Sequence, residues 1–198
     1  MEIDTFLASR IRTLRKAHGL TLEQLAERSG VSRSMISLIE RQETSPTAAV
    51  LNKLADAFGL SLPTLFVTDA LTPNPEPVSR HAAQTVWTDP ASGYTRRQLS
   101  PVGTPSPIEL VEVVFPAGQT VVFDNPQRRV GLHQQLWVID GQMDITLHTA
   151  HEAPTWHLNA GDCLAMTLGE RITFHNPGTE PACYVLALTH SDIPRRLA

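Results

Sequence analysis

Arg33, Ser37 and Arg41 follow one another at intervals of four residues, with Ser34 beside them. On a helix that spacing gathers the side chains on one face. Ile36, Ile39 and Glu40 fall on another side of the same stretch, "SRSMISLIER". An element with an apolar inner side and a small, polar, arginine-bearing outer side suits the major groove of duplex DNA. Short side chains let the helix approach base edges, and arginine reads guanine through two hydrogen bonds. The other chemically capable group is histidine. His148, His151 and His157 surround the turn "LHTAHEAPTWH", where three imidazoles are enough in number for zinc but exposed loop histidines are the commoner outcome. No Ser/His/Asp or Cys/His arrangement has motif support, so no catalytic residue is assigned.

The elements that present the arginine face are read from apolar spacing. Leu7, Ile11 and Leu14 make one helical stripe, and Leu22, Leu25 and Ala26 a second. Ile36 and Ile39 belong to a third, Leu51, Leu54, Ala55 and Phe58 form a fourth, and Leu62, Leu65 and Phe66 suggest a short fifth. Start signals accompany them: Thr21 with Gln24 as a capping box, Ser32 as an N-cap, Ser45 before Pro46, and Ser61. Gly19, Gly30 and Gly59 stand where helices stop. The turn Gly30-Val31-Ser32 joins the second and third helices at helix-turn-helix spacing.

Composition restricts the partners. Of 198 residues, 41% are hydrophobic and 18% charged, the make-up of a globular chain and not a disordered one. The formal net charge is -4, yet residues 1–66 hold eight Lys and Arg against seven Asp and Glu, so any nucleic-acid contact belongs to that part. Two cysteines, Cys163 and Cys183, are too few for a disulfide scaffold and read as small core residues. No apolar run is long enough for a membrane span or a signal segment, so the expected compartment is the cytoplasm.

The segment "LRKAHGLTLEQLAERSGVSRSMISLIERQETSPTAAVLNKLADAFGLSLPTLF" resembles the helix-turn-helix domains of phage repressors and of the xenobiotic-response-element (XRE) family of bacterial regulators, a likeness that covers about residues 7–66. The resemblance implies a buried pair between Arg15 and Glu40, which sets geometry more than stability. It also implies that Thr21 and Gln24 touch phosphate and that Arg33, Ser34 and Ser37 reach bases, with Ser32 at the start of their helix. Arg41 and the loop 42–47, ending in Thr47, meet the opposite phosphate edge. A single such domain buries little area, so a homodimer on a palindromic operator is expected.

Pro73, Pro75 and Pro77 alternate within residues 69–84 and mark an extended linker. Beyond it, short β-rich runs such as "IELVEVVF", "QLWVI", "MDITLH", "CLAMTL" and "CYVLAL" alternate with Gly, Pro, Asn and Asp turns, which points to a β-sandwich or barrel. The pattern "LWVIDGQMDITL…HLNAGDCLAM…FHNPG" resembles the cupin fold, a double-stranded β-helix barrel, over about residues 108–188. In metal-binding cupins two histidines and a glutamate precede the turn glycine and a third histidine precedes the closing asparagine. By that resemblance the ligand positions fall on Arg128, Val130, Gln134 and Ile172, none suited to a transition metal. His133 and His175 lie one residue away, on the opposite face of a strand. No metal and no cofactor are therefore expected. The barrel mouth would be lined by Val130, Gln134, Leu136, Ile172 and Phe174, apolar walls with one amide.

The expected architecture is multidomain α + β. Residues 1–68 form a five-helix DNA-binding bundle, 69–84 a linker and 85–198 a cupin-like barrel. The expected function is sequence-specific transcriptional regulation, with the metal-free barrel dimerising and sensing an unknown small molecule. Two alternatives stay open: a barrel filled by its own side chains that only dimerises, with Trp137 at the contact, and a metal-dependent cupin enzyme fused to a DNA-binding module.

Overall fold

The computed structural model describes residues 3–66, 76–104, 106–124, 132–149, 151–168 and 171–189. The first part is helical: α1 (Ile3–Ala17), α2 (Leu22–Ser29), α3 (Arg33–Glu40) and α4 (Ala48–Phe58). Leu7, Ile11, Leu25, Ile36, Ile39, Leu51 and Leu54 all turn inward to a common core with essentially no exposure, which is why their spacing is helical. Thr21 and Gln24 make a reciprocal capping box, Ser32 caps Met35 N, and Gly30 and Gly59 end their helices in the left-handed conformation.

Two sequence expectations are corrected here. The bundle has four α-helices, not five: Pro63–Phe66 makes a single 3-10 turn, started by Ser61, whose hydroxyl receives Thr64 N. Four residues are too few for an α-helix, and Leu65 and Phe66 are buried by neighbours rather than by a helix of their own. The N-cap of α4 is Thr47 and not Ser45. Thr47 accepts from Val50 N, while the Ser45 hydroxyl bonds Asp4 instead. The linker residues 69–75 lie outside the described residues, and His81–Ala83 forms a short 3-10 turn.

Ten strands follow: β1 (Val86–Thr88), β2 (Thr95–Gln98), β3 (Ile108–Phe115), β4 (Thr120–Asp124), β5 (Leu132–Asp140), β6 (Gln142–His148), β7 (Thr155–Asn159), β8 (Cys163–Leu168), β9 (Arg171–His175) and β10 (Ala182–Thr189). They form two antiparallel sheets, ordered β1-β2-β3-β10-β5-β8 and β4-β9-β6-β7. Strict alternation along β3 and β10 buries Val111, Val113, Phe115, Tyr184, Leu186 and Leu188 between them. Neither cysteine is a buried core residue as expected: Cys163 is exposed and Cys183 half-buried. Each sits on the outward phase of its strand, paired to Trp137 and Val114 respectively. No helix among the described residues is long and apolar enough to cross a membrane.

Two turn residues hold the sheets in register. Gly141 has a φ of 79°, and a Cβ there would lie 2.8 Å from Ala182 Cα. The β5–β6 turn therefore tolerates no side chain where β10 passes. Asn176 is fully buried and satisfied: Nδ2 donates to the carbonyls of Phe115 and Glu180 at 3.1 and 2.9 Å, and Oδ1 accepts from Gly178 N at 2.8 Å. Gly141→Ala combines left-handed strain with a backbone clash and is expected to cost at least about 2 kcal/mol, measured by urea denaturation of the full chain.

Candidate functional site

The outer face of α3 is open. The Arg33 side chain is 65% exposed and its Nε lies 2.5 Å from Glu23 Oε1 of α2. Ser32 and Ser34 are exposed and share a hydrogen bond of 3.1 Å. Arg41 bridges two groups: Nη1 donates to Ser37 Oγ at 2.8 Å, while Nε and Nη2 donate to Glu43 at 2.7 and 3.0 Å. Those hydrogen bonds push the Arg41 pKa up and hold Glu43 below the ordinary carboxylate range. Thr21 and Gln24 are exposed at the start of α2, and Thr47 stands at the start of α4. The eight residues singled out for DNA thus stand at the starts of α2, α3 and α4, along α3 and at its end. Three of their hydroxyls, on Thr21, Ser32 and Thr47, already cap backbone N–H groups.

Behind this face, Arg15 of α1 grips Glu40 at the end of α3. Nε and Nη2 reach the two carboxylate oxygens at 2.6 and 2.7 Å, and Nη1 donates to Leu20 O at 3.0 Å. The side chains are 13% and 8% exposed. The hydrogen bond to Glu40 raises the Arg15 pKa against the opposing effect of burial. One planar fork thereby ties α1, the turn before α2 and the end of α3 into a fixed arrangement.

The second candidate is a cavity of about 60 Å3 between the sheets and the helical part. Gln134, Ile172 and Phe174 line it, as does Phe123. Leu136 is fully buried in the core and is not part of the lining, and Val130 lies outside the described residues. Sequence reasoning missed two contributions. The helical part supplies Asn52, Ser61, Leu62 and Pro63, and the sheet supplies Tyr94, Arg96 and Tyr184. Arg96 is only 4% exposed. Burial lowers its pKa, partly offset by Glu109, whose Oε1 is 3.4 Å from Nη2. Burial raises the pKa of both tyrosines. An alternating "TRRQ" with charges at successive positions gave no periodic signal for an inward arginine.

The histidines do not converge. His148 bonds Thr173 Oγ1, His157 bonds Asp144 Oδ1, and His151 is exposed at the turn. His133 is exposed, and His175 lies beside Thr120 Oγ1 and Gln119 O. Among the described residues no three His, Cys, Asp or Glu side chains stand close enough to hold a metal ion.

Comparison with known proteins agrees with the helical geometry. A helix-turn-helix family model matches residues 11–65. The HTH-type transcriptional regulator SutR of Escherichia coli is 27% identical over 175 residues, covering 88% of this chain and 89% of that protein. The control protein C.SmaI of Serratia marcescens is 39% identical over 71 residues, 36% of this chain and 84% of its own length. The crystal structure of an HTH_3 family transcriptional regulator from Vibrio cholerae superposes with a TM-score of 0.71 at 22% identity over 98% of both chains, which establishes a shared fold. Glu40→Gln leaves Arg15 enclosed without its counter-charge and is expected to lower stability by about 3 kcal/mol, read from thermal and chemical unfolding.

Proposed function

This chain belongs to the helix-turn-helix family of DNA-binding transcriptional regulators, and on that premise we propose that it reads a palindromic operator as a homodimer while its β domain, a metal-free cupin-type barrel, senses a small molecule in the cytoplasm. The observation that carries the DNA reading is the exposed face of α3, where Arg33, Ser34, Ser37 and Arg41 stand outward on a helix fixed from behind by Arg15 and Glu40. Arg33, Ser34 and Ser37 contact bases. Thr21, Gln24, Ser32, Arg41 and Thr47 contact phosphates, largely through the N–H groups at the starts of α2, α3 and α4. Division at residues 68 and 85 separates the reading module from the sensing one.

The dimer forms through the outer face of the six-stranded sheet. Leu110 and Val114 of β3 and Trp137 and Ile139 of β5 are all exposed there, flanking Val185 and Ala187 of β10. Trp137, 51% exposed, is its largest apolar side chain. A second copy is the occupant that suits it, because two-fold pairing of this face sets two α3 helices at a fixed spacing. The effector site is the cavity shared by the sheets, α4 and the 3-10 turn.

Selection of duplexes from a randomised pool, followed by gel shift at fixed salt, tests the central reading. Two half-sites about one helical turn apart are expected. No sequence-selective binding at any salt overturns it. Arg33→Ala should weaken the selected site by about 1–3 kcal/mol, roughly five- to 150-fold, and relax preference at one base pair, with little change on random DNA. Trp137→Glu should leave the circular dichroism spectrum unchanged, convert the dimer to monomer in analytical ultracentrifugation and abolish the dependence of the unfolding midpoint on protein concentration. A dimer that persists places the interface elsewhere.

A further inference from the structure

Four buried polar side chains in the walls of the junction cavity select a ligand class. Arg96, Gln134, Tyr94 and Tyr184 all line it, with relative exposures of 4%, 5%, 4% and 3%. A guanidinium offers five N–H donors, and burying them is costly unless they are taken up. Arg96 Nη2 makes one long contact, 3.4 Å to Glu109 Oε1, and its carbon rests over the Phe66 ring at 5.1 Å from the centroid. Gln134 Nε2 donates to the soft sulfur of Met166 at 3.4 Å, a weak partner for a buried amide. The two tyrosine rings are positioned by stacking, Tyr94 on Phe115 at 5.6 Å and Tyr184 on Phe174 at 6.4 Å, and add two hydroxyl donors to the same walls.

These four polar side chains stand among walls that are otherwise mostly apolar. Leu62, Val113, Ile172, Leu186 and Leu188 supply the remaining surface. A planar carboxylate accepts two parallel hydrogen bonds from a guanidinium, and beside side chains as buried as these such charge-assisted bonds are strong. An ammonium would meet Arg96 as a like charge. A cavity of about 60 Å3 holds roughly five water-sized groups, so the ligand is small.

We propose that the cavity binds a short-chain aliphatic carboxylate, its carboxylate on Arg96 with Gln134 and the tyrosine hydroxyls and its alkyl group against Ile172, Leu186 and Leu188, and that this ligand couples the β domain to the DNA-reading module through Leu62 and Pro63. The assignment rests on the effector-sensing reading above and names its ligand class. Coupling follows from the shared walls. A group seated against Leu62 and Pro63 presses on the segment that follows α4, and α4 is itself bonded to the β domain at Ala48 N and Asn52. Binding that favours one placement of the two modules shifts operator affinity by the difference in ligand affinity between placements.

The test uses the full chain. Propionate, butyrate and isobutyrate are titrated by calorimetry beside butyramide and propylamine as isosteric controls, and operator affinity is measured with each at saturation. The carboxylates are expected to bind about tenfold or more tighter than the amide, with no binding of the amine. Arg96→Met should cost about tenfold or more in carboxylate affinity. Should that variant not fold, Tyr184→Phe, which removes only a hydroxyl, must weaken carboxylate binding about threefold or more. Unchanged affinity in either variant overturns the site. Amide or amine binding as tight as the carboxylate overturns the ligand class while leaving sensing intact. Carboxylate binding without change in operator affinity overturns the coupling. If no member of the panel binds, the carboxylate assignment fails; the sensing reading itself fails if Leu62→Trp, which fills the cavity, leaves operator affinity in cell extract and in purified form the same as in the parent chain.

Discussion

The buried carboxylate of Asp89 holds the two halves of this molecule together at the start of α4. It accepts from Ala48 N at 2.8 Å and, in its own loop, from Ser92 N and Oγ at 2.9 and 2.5 Å. The first N–H groups of a helix have no partner within it and carry partial positive charge, so an acidic side chain there is doubly favoured. The donor lies on the reading module and the acceptor on the β domain, 41 residues apart. Trp87 of β1 stands two residues before Asp89 and is buried like it. It packs tilted against Phe66 at 5.5 Å and edge-on to Tyr94 at 5.9 Å. Asn52, one turn along α4, donates to Asp124 O at 3.2 Å. The helix start, its middle and the following turn each contact the β domain, so a displacement on one side is passed to the other.

Aromatic rings extend that junction through the interior. From Phe66 the contacts run through Trp87, Tyr94, Phe115, Tyr184 and Phe174 to Phe123, each ring within 6.5 Å of the next. The series crosses from the 3-10 turn through the six-stranded sheet to the four-stranded one, and several of its members wall the cavity. Close-packed rings have discrete arrangements and do not deform continuously. The ligand proposed for this cavity would act on a stiff assembly, the kind of element that can relay a small displacement to the helical module.

The reading face is controlled by local charge rather than by the net charge of -4. Both of its arginines are already engaged, Arg33 with Glu23 and Arg41 with Glu43. These pairs are more than half exposed, and exposed pairs are weak and screened by salt, so DNA can displace the carboxylates at little cost. Their effect in the free protein is to moderate the positive field that draws any duplex. On the proposed reading, discrimination rests more on what α3 would meet in the groove than on non-specific attraction.

Local rules were enough to read the helical half. Spacing of Leu7, Ile11, Leu25, Ile36 and Leu51 marked the helices, and Thr21, Ser32, Gly30 and Gly59 marked their ends, because propensity and capping act over three or four residues. The outward placement of Arg33 and Trp137 followed from the same periodicities. Where two local signals competed, as at Ser45 and Thr47, sequence chose the wrong cap, since only packing decides which hydroxyl faces the helix. The strands β1 and β2 escaped notice because Arg96 and Gln98 occupy inward positions where alternation expects apolar residues. That inward arginine is tolerable only because Glu109, thirteen residues away, and Phe66, thirty residues away, arrive beside it in the folded chain. So the sequence by itself determined the four α-helices, the outward placement of Arg33 and most strand positions. Tertiary structure alone decided the junction, the mixed walls of the cavity and its buried charge, since each depends on groups that neighbour one another in space and not along the chain.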